Sequence, residues 1–379
     1  MKNSSILCEK RVGIVGKTKI AIIGLGFGAE FIPIYMDHPQ ATCAAVCKRN
    51  ATEMNAVADQ FGVEKRYTDF HELLRDPDID AIHINTPIAD HAWMAIEGLK
   101  AGKHVACTVP MAITVDECLQ IIDLEKKTGK VYMMMETAAY TREYLYVKNL
   151  YQKGEMGDVQ FLRGSHQQNM GLPGWPAYWY GFPPMFYATH AVAPLADLIG
   201  KRIKSVRCYG SGRISPEYQA QYQSPFAVES SQMLFEDSTV ACEVTRSLFD
   251  TIRQYRESFD VYGTKMSFEW EQTFEGGHVL FSGYEDARKA DIVDTDALLP
   301  KEIAKYALRH QIVDEEHVSF IQGAGHGGSH PHLVHEFVSA IREGRKAHVS
   351  AEVAANWTMA GILSHESAMK GGQELQLPR

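Results

Sequence analysis

The sequence predicts an α/β protein: an N-terminal Rossmann-type, doubly wound parallel sheet, then a C-terminal α/β domain with a large, mostly antiparallel open sheet. Three observations carry this expectation. The apolar run 20–23 breaks into a glycine-rich turn and then into a helical pattern at Phe31, Ile32, Ile34 and Tyr35. Strand-like and helix-like segments then alternate up to about residue 136, as parallel strands joined by crossover helices do. Beyond that point, strand-like segments follow one another across polar turns such as Glu236-Asp237-Ser238, the pattern of an antiparallel sheet.

The first turn reads Gly24-Leu25-Gly26-Phe27-Gly28-Ala29 and fits G-x-G-x-x-G/A. Gly24 permits the sharp turn, Gly26 lets backbone approach a pyrophosphate, and Ala29 allows close helix–strand packing. The helix that follows offers free N–H groups to phosphates. A bare glycine motif is a weak signal. Its strand–turn–helix context raises dinucleotide binding above a purely structural turn. Val12-Gly13-Ile14-Val15-Gly16 imitates the motif within the leader 1–17, but no helical pattern follows it.

The second strand is expected at 41–47. A carboxylate for the ribose 2′-hydroxyl is expected there, about twenty residues past the glycines. Lys48 and Arg49 stand in that place. They either hold a 2′-phosphate, which leaves NADP open beside NAD, or form a solvent-facing basic pair. Helices follow at 53–61 and at 69–75, the latter capped by Asp69 with Glu72 three residues on. A strand at 81–85 runs into Thr86-Pro87. Helix 91–101 stops at Gly102, and strand 104–107 runs into Thr108-Val109-Pro110. Thr114, with Glu117, caps a helix to residue 127, and 131–135 closes the parallel sheet. A helix is expected at 140–153 and strands at 159–166, 203–210, 226–235, 238–249, 257–263 and 265–271. Residues 171–184 form an aromatic, Pro- and Gly-rich loop, 284–318 are charged and peripheral, and helices close the chain at 331–343 and 351–370. The domains expected are 1–136 and 137–379, the final helix packing back on the first.

The 379 residues have ordinary globular composition, 45% hydrophobic and 22% charged, and a formal charge of −9. That charge argues against nucleic acid or an anionic membrane as partner. No apolar run reaches membrane-span length, and the apolar centre of residues 1–10 is too short for a signal peptide. Seven scattered cysteines suggest reduced thiols, so a cytoplasmic location is expected.

The combined pattern resembles the Gfo/Idh/MocA family of nicotinamide-dependent sugar oxidoreductases. The resemblance rests on Gly24–Ala29, on Asn85-Thr86-Pro87 with His91, and on Ala101-Gly102-Lys103-His104-Val105. It implies a Rossmann domain, an open-faced α/β domain carrying a carbohydrate site, and homodimers or homotetramers packed through the second sheet. The cofactor contacts it implies are Gly24, Gly26, Phe27, Gly28, Lys48, Arg49, Asn85, Thr86, Pro87, His91, Thr108, Val109 and Pro110. Three places depart from the family's dehydrogenases. Their Glu-Lys-Pro reads Thr108-Val109-Pro110 here, and valine cannot donate, accept or carry charge. Their later Asp and His fall on His190 and Pro194.

Met134-Met135-Glu136-Thr137-Ala138-Ala139-Tyr140, with the segment 187–194, looks like the NAD-dependent glycoside hydrolases of this superfamily, the α-N-acetylgalactosaminidase or sulfoquinovosidase type. That group implies transient oxidation at C3 of a sugar, loss of the C2 proton and the C1 leaving group, water addition and re-reduction. Glu136 and His190 carry over as catalytic residues, and His166 falls where the galactosaminidase type has a tyrosine base. Histidine suits proton removal near neutrality. Ordinary hydrogen bonding of His166, helix capping by His190 and an ion pair for Glu136 are the bland readings. Tyr140, Arg163, Trp179, Tyr180, His326 and His330 are expected at the substrate. Four histidines at 326–335 lack helical zinc-site spacing, so no metal is expected. The rivals are a sugar dehydrogenase or 3-keto-sugar enzyme with net NAD(P) turnover, and a non-catalytic nucleotide sensor.

Overall fold

A computed structural model describes residues 16–219, 221–253, 255–273, 276–309 and 325–379. Most of the leader therefore lies outside the described residues, as does part of the charged stretch 284–318. The first sheet holds β1 (Thr18–Ile23), β2 (Ala41–Cys47), β3 (Lys65–Tyr67), β4 (Ala81–Ile84), β5 (His104–Cys107) and β6 (Tyr132–Met134). All pairs are parallel, in the order β3-β2-β1-β4-β5-β6. β4 is buried at every position, as a central strand covered on both faces must be. The helices are α1 (Ile32–Asp37), α2 (Ala51–Phe61), α3 (Phe70–Arg75), α4 (His91–Lys100) and α5 (Val115–Thr128). Thr114 and Glu117 form the expected capping box, and Asp69 caps α3.

Two details differ from expectation. Strand β3 is only three residues long, too short to leave a pattern. The helix after the glycine turn is also shorter. A 3-10 turn spans Gly28–Phe31, and α1 has six residues with Pro33 near its start.

After α6 (Arg142–Gln152) comes β7 (Val159–Gln167), then α7 (Thr189–Ile199). The second sheet continues with β8 (Ile203–Ser211), β9 (Val228–Phe235), β10 (Ala241–Ser247), β11 (Arg256–Gly263), β12 (Ser267–Glu269), β13 (Val279–Phe281), β14 (Ala287–Lys289) and β15 (Leu375–Gln376). Its order is β14-β13-β12-β11-β7-β10-β9-β8-β15. Every pairing is antiparallel except β7 with β10. The start of the stretch expected to be peripheral is thus sheet edge, since β14 lies at 287–289. After α8 (Lys301–Ala304), α9 (His330–Glu343) and α10 (Ala351–Met369) end the helical part.

α10 touches both sheets. Asn356 grips Ile203 at the start of β8, receiving its N–H at 2.8 Å and donating to its carbonyl at 3.0 Å. Just before α10, the Val349 carbonyl accepts from Met134 of β6 at 3.0 Å.

Alternation along β7 decides what faces inward. Leu162, Gly164 and His166 are buried, whereas Arg163 lies on the other face. Gly164 is where α7 crosses the sheet: a Cβ there would lie 2.1 Å from the Ala191 carbonyl oxygen. Only a residue without a side chain admits that approach. Gly164→Ala is therefore expected to push α7 away and destabilise the protein by about 1–3 kcal/mol. A lower thermal midpoint, with reduced activity in the surviving fold because α7 carries His190, is the outcome to look for.

Candidate active site

A cleft of about 1220 Å3 runs from the glycine turn to the inner end of β7. Its volume exceeds the roughly 300–1,000 Å3 of ordinary small-molecule sites. At one end lie Gly24, Gly26, Phe27, Lys48, Arg49, Asn85, Thr86, Pro87, His91, Thr108 and Val109, all expected cofactor residues. The glycines divide the work differently from expectation. Gly24 has φ +82°, and a Cβ there would lie 2.5 Å from the Asn85 carbonyl oxygen. Gly26 would meet nothing within 4 Å, so its backbone stands open. Gly28, rather than Ala29, makes the close approach, 2.9 Å from the Ile22 side chain. This open, side-chain-free turn at the mouth of a large cleft fits a dinucleotide.

His91 lies at the wall but is committed to it. Its ring nitrogens reach the Pro110 carbonyl at 2.8 Å and the Thr86 carbonyl at 2.9 Å, bracing the two loops that follow β4 and β5. Pro110 itself is buried behind that wall. Lys48 is also committed: its ammonium lies 2.5 Å from Glu53, which lines the cleft too. One of the two cations expected for a 2′-phosphate is thus neutralised by a carboxylate.

The other end is lined by Thr137, Gln168, Trp175, Tyr178, Trp179, Tyr187, His190, Tyr255 and His326. His190, in the first turn of α7, has Nδ1 2.6 Å from Oε1 of Glu136. Glu136 follows β6, is wholly buried, and also accepts from the Ala138 N–H at 3.0 Å. Burial pushes its carboxyl up, but the His190 charge and hydrogen bond outweigh that and leave it below the ordinary value. Burial likewise pulls His190 down, and the Glu136 and Glu257 carboxylates outweigh it and leave the ring above its ordinary value. The pair is an ion pair with one end at the cleft.

His166 is different. It is fully buried, and neither ring nitrogen has a hydrogen-bond partner. Burial, then the charges of Arg246, His190 and His326, hold it well below the ordinary histidine value, so it is neutral. Its ring lies 5.1 Å from that of His190, and Nε2 is 3.6 Å from Oε1 of Glu257. It sits behind His190, Tyr187 and Tyr255 rather than on the wall. Arg246 fixes this floor. Its guanidinium donates to the carbonyls of Tyr187 at 2.7 Å and His166 at 2.9 Å, and to Gln168 Oε1 at 2.6 Å.

Four site expectations change. Tyr140 does not line the cleft; its ring stacks on His332 at 6.3 Å. Arg163 pairs with Glu243 at 3.7 Å on the far sheet face. Tyr180 packs on Tyr218 at 5.3 Å, leaving Trp179 and its neighbours Trp175 and Tyr178 as the aromatic wall. His330 is buried against Glu30, with Nδ1 3.5 Å from the carboxylate, while His326 alone of the histidine-rich stretch lines the cleft. His332 and His335 bond elsewhere, to Thr295 and His38. Glu136 contacts His190 and does not line the cleft itself. Residues not expected are Glu257, Tyr255, Tyr187 and Arg246. Tyr255 donates to Glu257 at 2.9 Å and lies 3.1 Å from His326 Nε2. Pairing of Glu257 directly opposite His166 creates the constellation, and no local motif marks that register.

A glycine turn opening on such a cleft, with a buried acid–base cluster at its far end, defines a dinucleotide-binding enzyme. Residues 18–136 match the model of the Gfo/Idh/MocA oxidoreductase family, NAD-binding Rossmann fold. The chain is 26% identical to an α-N-acetylgalactosaminidase of Shewanella oneidensis over 395 aligned residues, covering 95% of this chain and 84% of the relative. It is 27% identical to a glycosyl hydrolase family 109 protein of Shewanella putrefaciens, covering 82% and 71%. An oxidoreductase from Agrobacterium radiobacter, crystallised with NAD+, L-tartaric acid and magnesium, shares the fold with a TM-score of 0.77 at 16% identity over 95% of this chain and 98% of that one. A levoglucosan dehydrogenase in complex with NADH and levoglucosan does so with 0.75 at 19% identity, over 96% and 100%. Among the described residues no helix is long and apolar enough to cross a membrane.

Two predictions follow from the cofactor end. The Glu53 carboxylate disfavours a 2′-phosphate, so NAD+ should bind more tightly than NADP+, and Glu53→Gln should narrow the gap in a fluorescence titration. The second concerns Glu30, whose carboxyl burial raises to about 7. Between its ordinary value and about 7 the native state binds the extra proton, so stability falls as pH rises through that window. Glu30→Gln should raise the thermal midpoint at pH 8 and leave it nearly unchanged at pH 4, the gain bounded by about 3 kcal/mol.

Proposed function

We propose that this protein cleaves glycosides by transient oxidation of the sugar, elimination, hydration and re-reduction, with no net consumption of NAD. The observation that carries the reading is the pair of neighbouring imidazoles driven to opposite protonation states, His190 charged and His166 neutral. Environments that push adjacent titratable groups apart assign acid and base roles.

The Gly24–Gly28 turn and the loops after β4 and β5 would hold the dinucleotide, whose bound form supplies reversible hydride transfer at C3 of the sugar. A carbonyl at C3 acidifies the C2 proton. Neutral His166, directly behind His190, Tyr187 and Tyr255, is the base that takes up that proton, and Glu257 at 3.6 Å stabilises the imidazolium that results. Charged His190 donates a hydrogen bond to the oxygen on which negative charge develops, and Glu136 fixes its orientation and tautomer. Elimination of the C1 substituent and addition of water across the C1–C2 bond then use the same groups in reverse. Trp175, Tyr178 and Trp179 supply the ring faces on which a sugar stacks. Val109, at the place of the family dehydrogenases' lysine, leaves these histidines as the groups that move protons. The relatives named as α-N-acetylgalactosaminidase and family 109 glycosyl hydrolases support this reading.

The test is incubation with a panel of aryl glycosides in deuterated water, with and without added NAD+. Aglycone release without net NADH, with deuterium at C2 of the sugar product, is expected. Stoichiometric NADH would instead identify a net dehydrogenase, and silence across the panel a nucleotide sensor. His190→Ala should retain NAD binding and lose about 10²–10⁴-fold in kcat/KM.

A further inference from the structure

We propose that His166, His190 and Glu257 form a binding site for one divalent first-row metal ion, with zinc(II) the best match to the donor set. One ligand atom from each residue lies within 4.8 Å of the other two, and among the described residues this is the one such trio. Ligands of a tetrahedral zinc ion stand about 3.3 Å apart, so His166 Nε2 and Glu257 Oε1, at 3.6 Å, are nearly in place. Their spacing is set by the backbone, because the two residues are cross-strand partners in β7 and β11.

The surroundings are those of a ligand set. Glu136 occupies Nδ1 of His190 and leaves Nε2 for an ion, the carboxylate–histidine–metal relay by which proteins orient such rings. Tyr255 holds Glu257 from the other side. His166 is fully buried with both nitrogens unpartnered, an arrangement that a metal bond to Nε2 would relieve. The carboxylates of Glu136 and Glu257 both act on the His190 ring and favour a cation beside it. Two imidazoles and one carboxylate select zinc, cobalt, manganese or iron over calcium and magnesium, which prefer oxygen alone. With three protein ligands the fourth position is open, toward the cleft wall formed by His190, Tyr255 and His326. An ion there would polarise a substrate oxygen. That role rests on the proposed glycoside reaction and would take the place of the proton transfers by His166 and His190, whose nitrogens the ion would hold, whereas binding of the ion does not rest on it.

The experiment uses the full chain, freed of metal with a chelator and titrated with cobalt(II) chloride, then zinc(II) chloride. One cobalt ion per chain should bind, with the visible d–d absorption of a low-symmetry site, and zinc should abolish the band. Glu257→Gln and His166→Gln should each weaken zinc binding at least 10-fold by calorimetry, and Glu136→Gln by about 10–100-fold. Circular dichroism separates loss of a ligand from loss of the fold, and Glu257→Gln, on a partly exposed side chain, provides the test if His166→Gln unfolds. A folded wild type that takes up neither ion, or binding that survives either ligand substitution unchanged, overturns the site. Zinc binding without glycoside cleavage keeps this inference and removes the proposed function; cleavage by metal-free protein that binds no zinc does the reverse.

Discussion

The contact between Glu136 and His190 joins the last strand of the parallel sheet to the helix lying on the second sheet. Both groups are buried, and either alone would be an isolated charge in a poorly solvated place. Together, at 2.6 Å, they stabilise one another and fix the orientation of the imidazole at the cleft. The rest of the site takes its position from this pair. His166 is neutral in part because His190 is charged beside it, and α7 approaches β7 closely because Gly164 leaves room for its backbone.

The cleft has two ends of different character. The cofactor end is mostly backbone and short side chains, with His91 bracing two loops through their carbonyls. The far end is aromatic and histidine-rich. Rings of His166, His190, His326 and His330 succeed one another at 5.1, 6.2 and 5.3 Å, running from the second sheet to the glycine turn. A row of mostly neutral imidazoles at the join makes proton and metal chemistry available beside the place where a dinucleotide would end.

Local rules made much of this legible. The glycine turn, the Thr114 capping box and the apolar strands are set by neighbours in sequence, so their patterns reveal them. Strands β13 and β14 are three residues each and carry little periodicity. Tyr140 and Arg163 failed as substrate residues because position along an element does not state the face presented. For Arg163 a single step in strand parity decides it. His166 was singled out from its place in the family pattern, whereas Glu257 could not be, because it lies opposite His166 through long-range strand register. Gly28 was misjudged against Ala29 because the turn tightens into 3-10 geometry before the helix begins.

The Arg246 guanidinium ties the floor of the cleft together. It is fully buried, and its donors fasten β7, β10 and the segment before α7 into one block. A lysine could not reproduce that fork. The aromatic loop at 171–184 packs on this block: Trp179 and Phe182 are buried in one cluster with Leu248 and Phe249, just past β10. A change at Trp179 would therefore disturb both the cleft wall and the buried cluster beneath it.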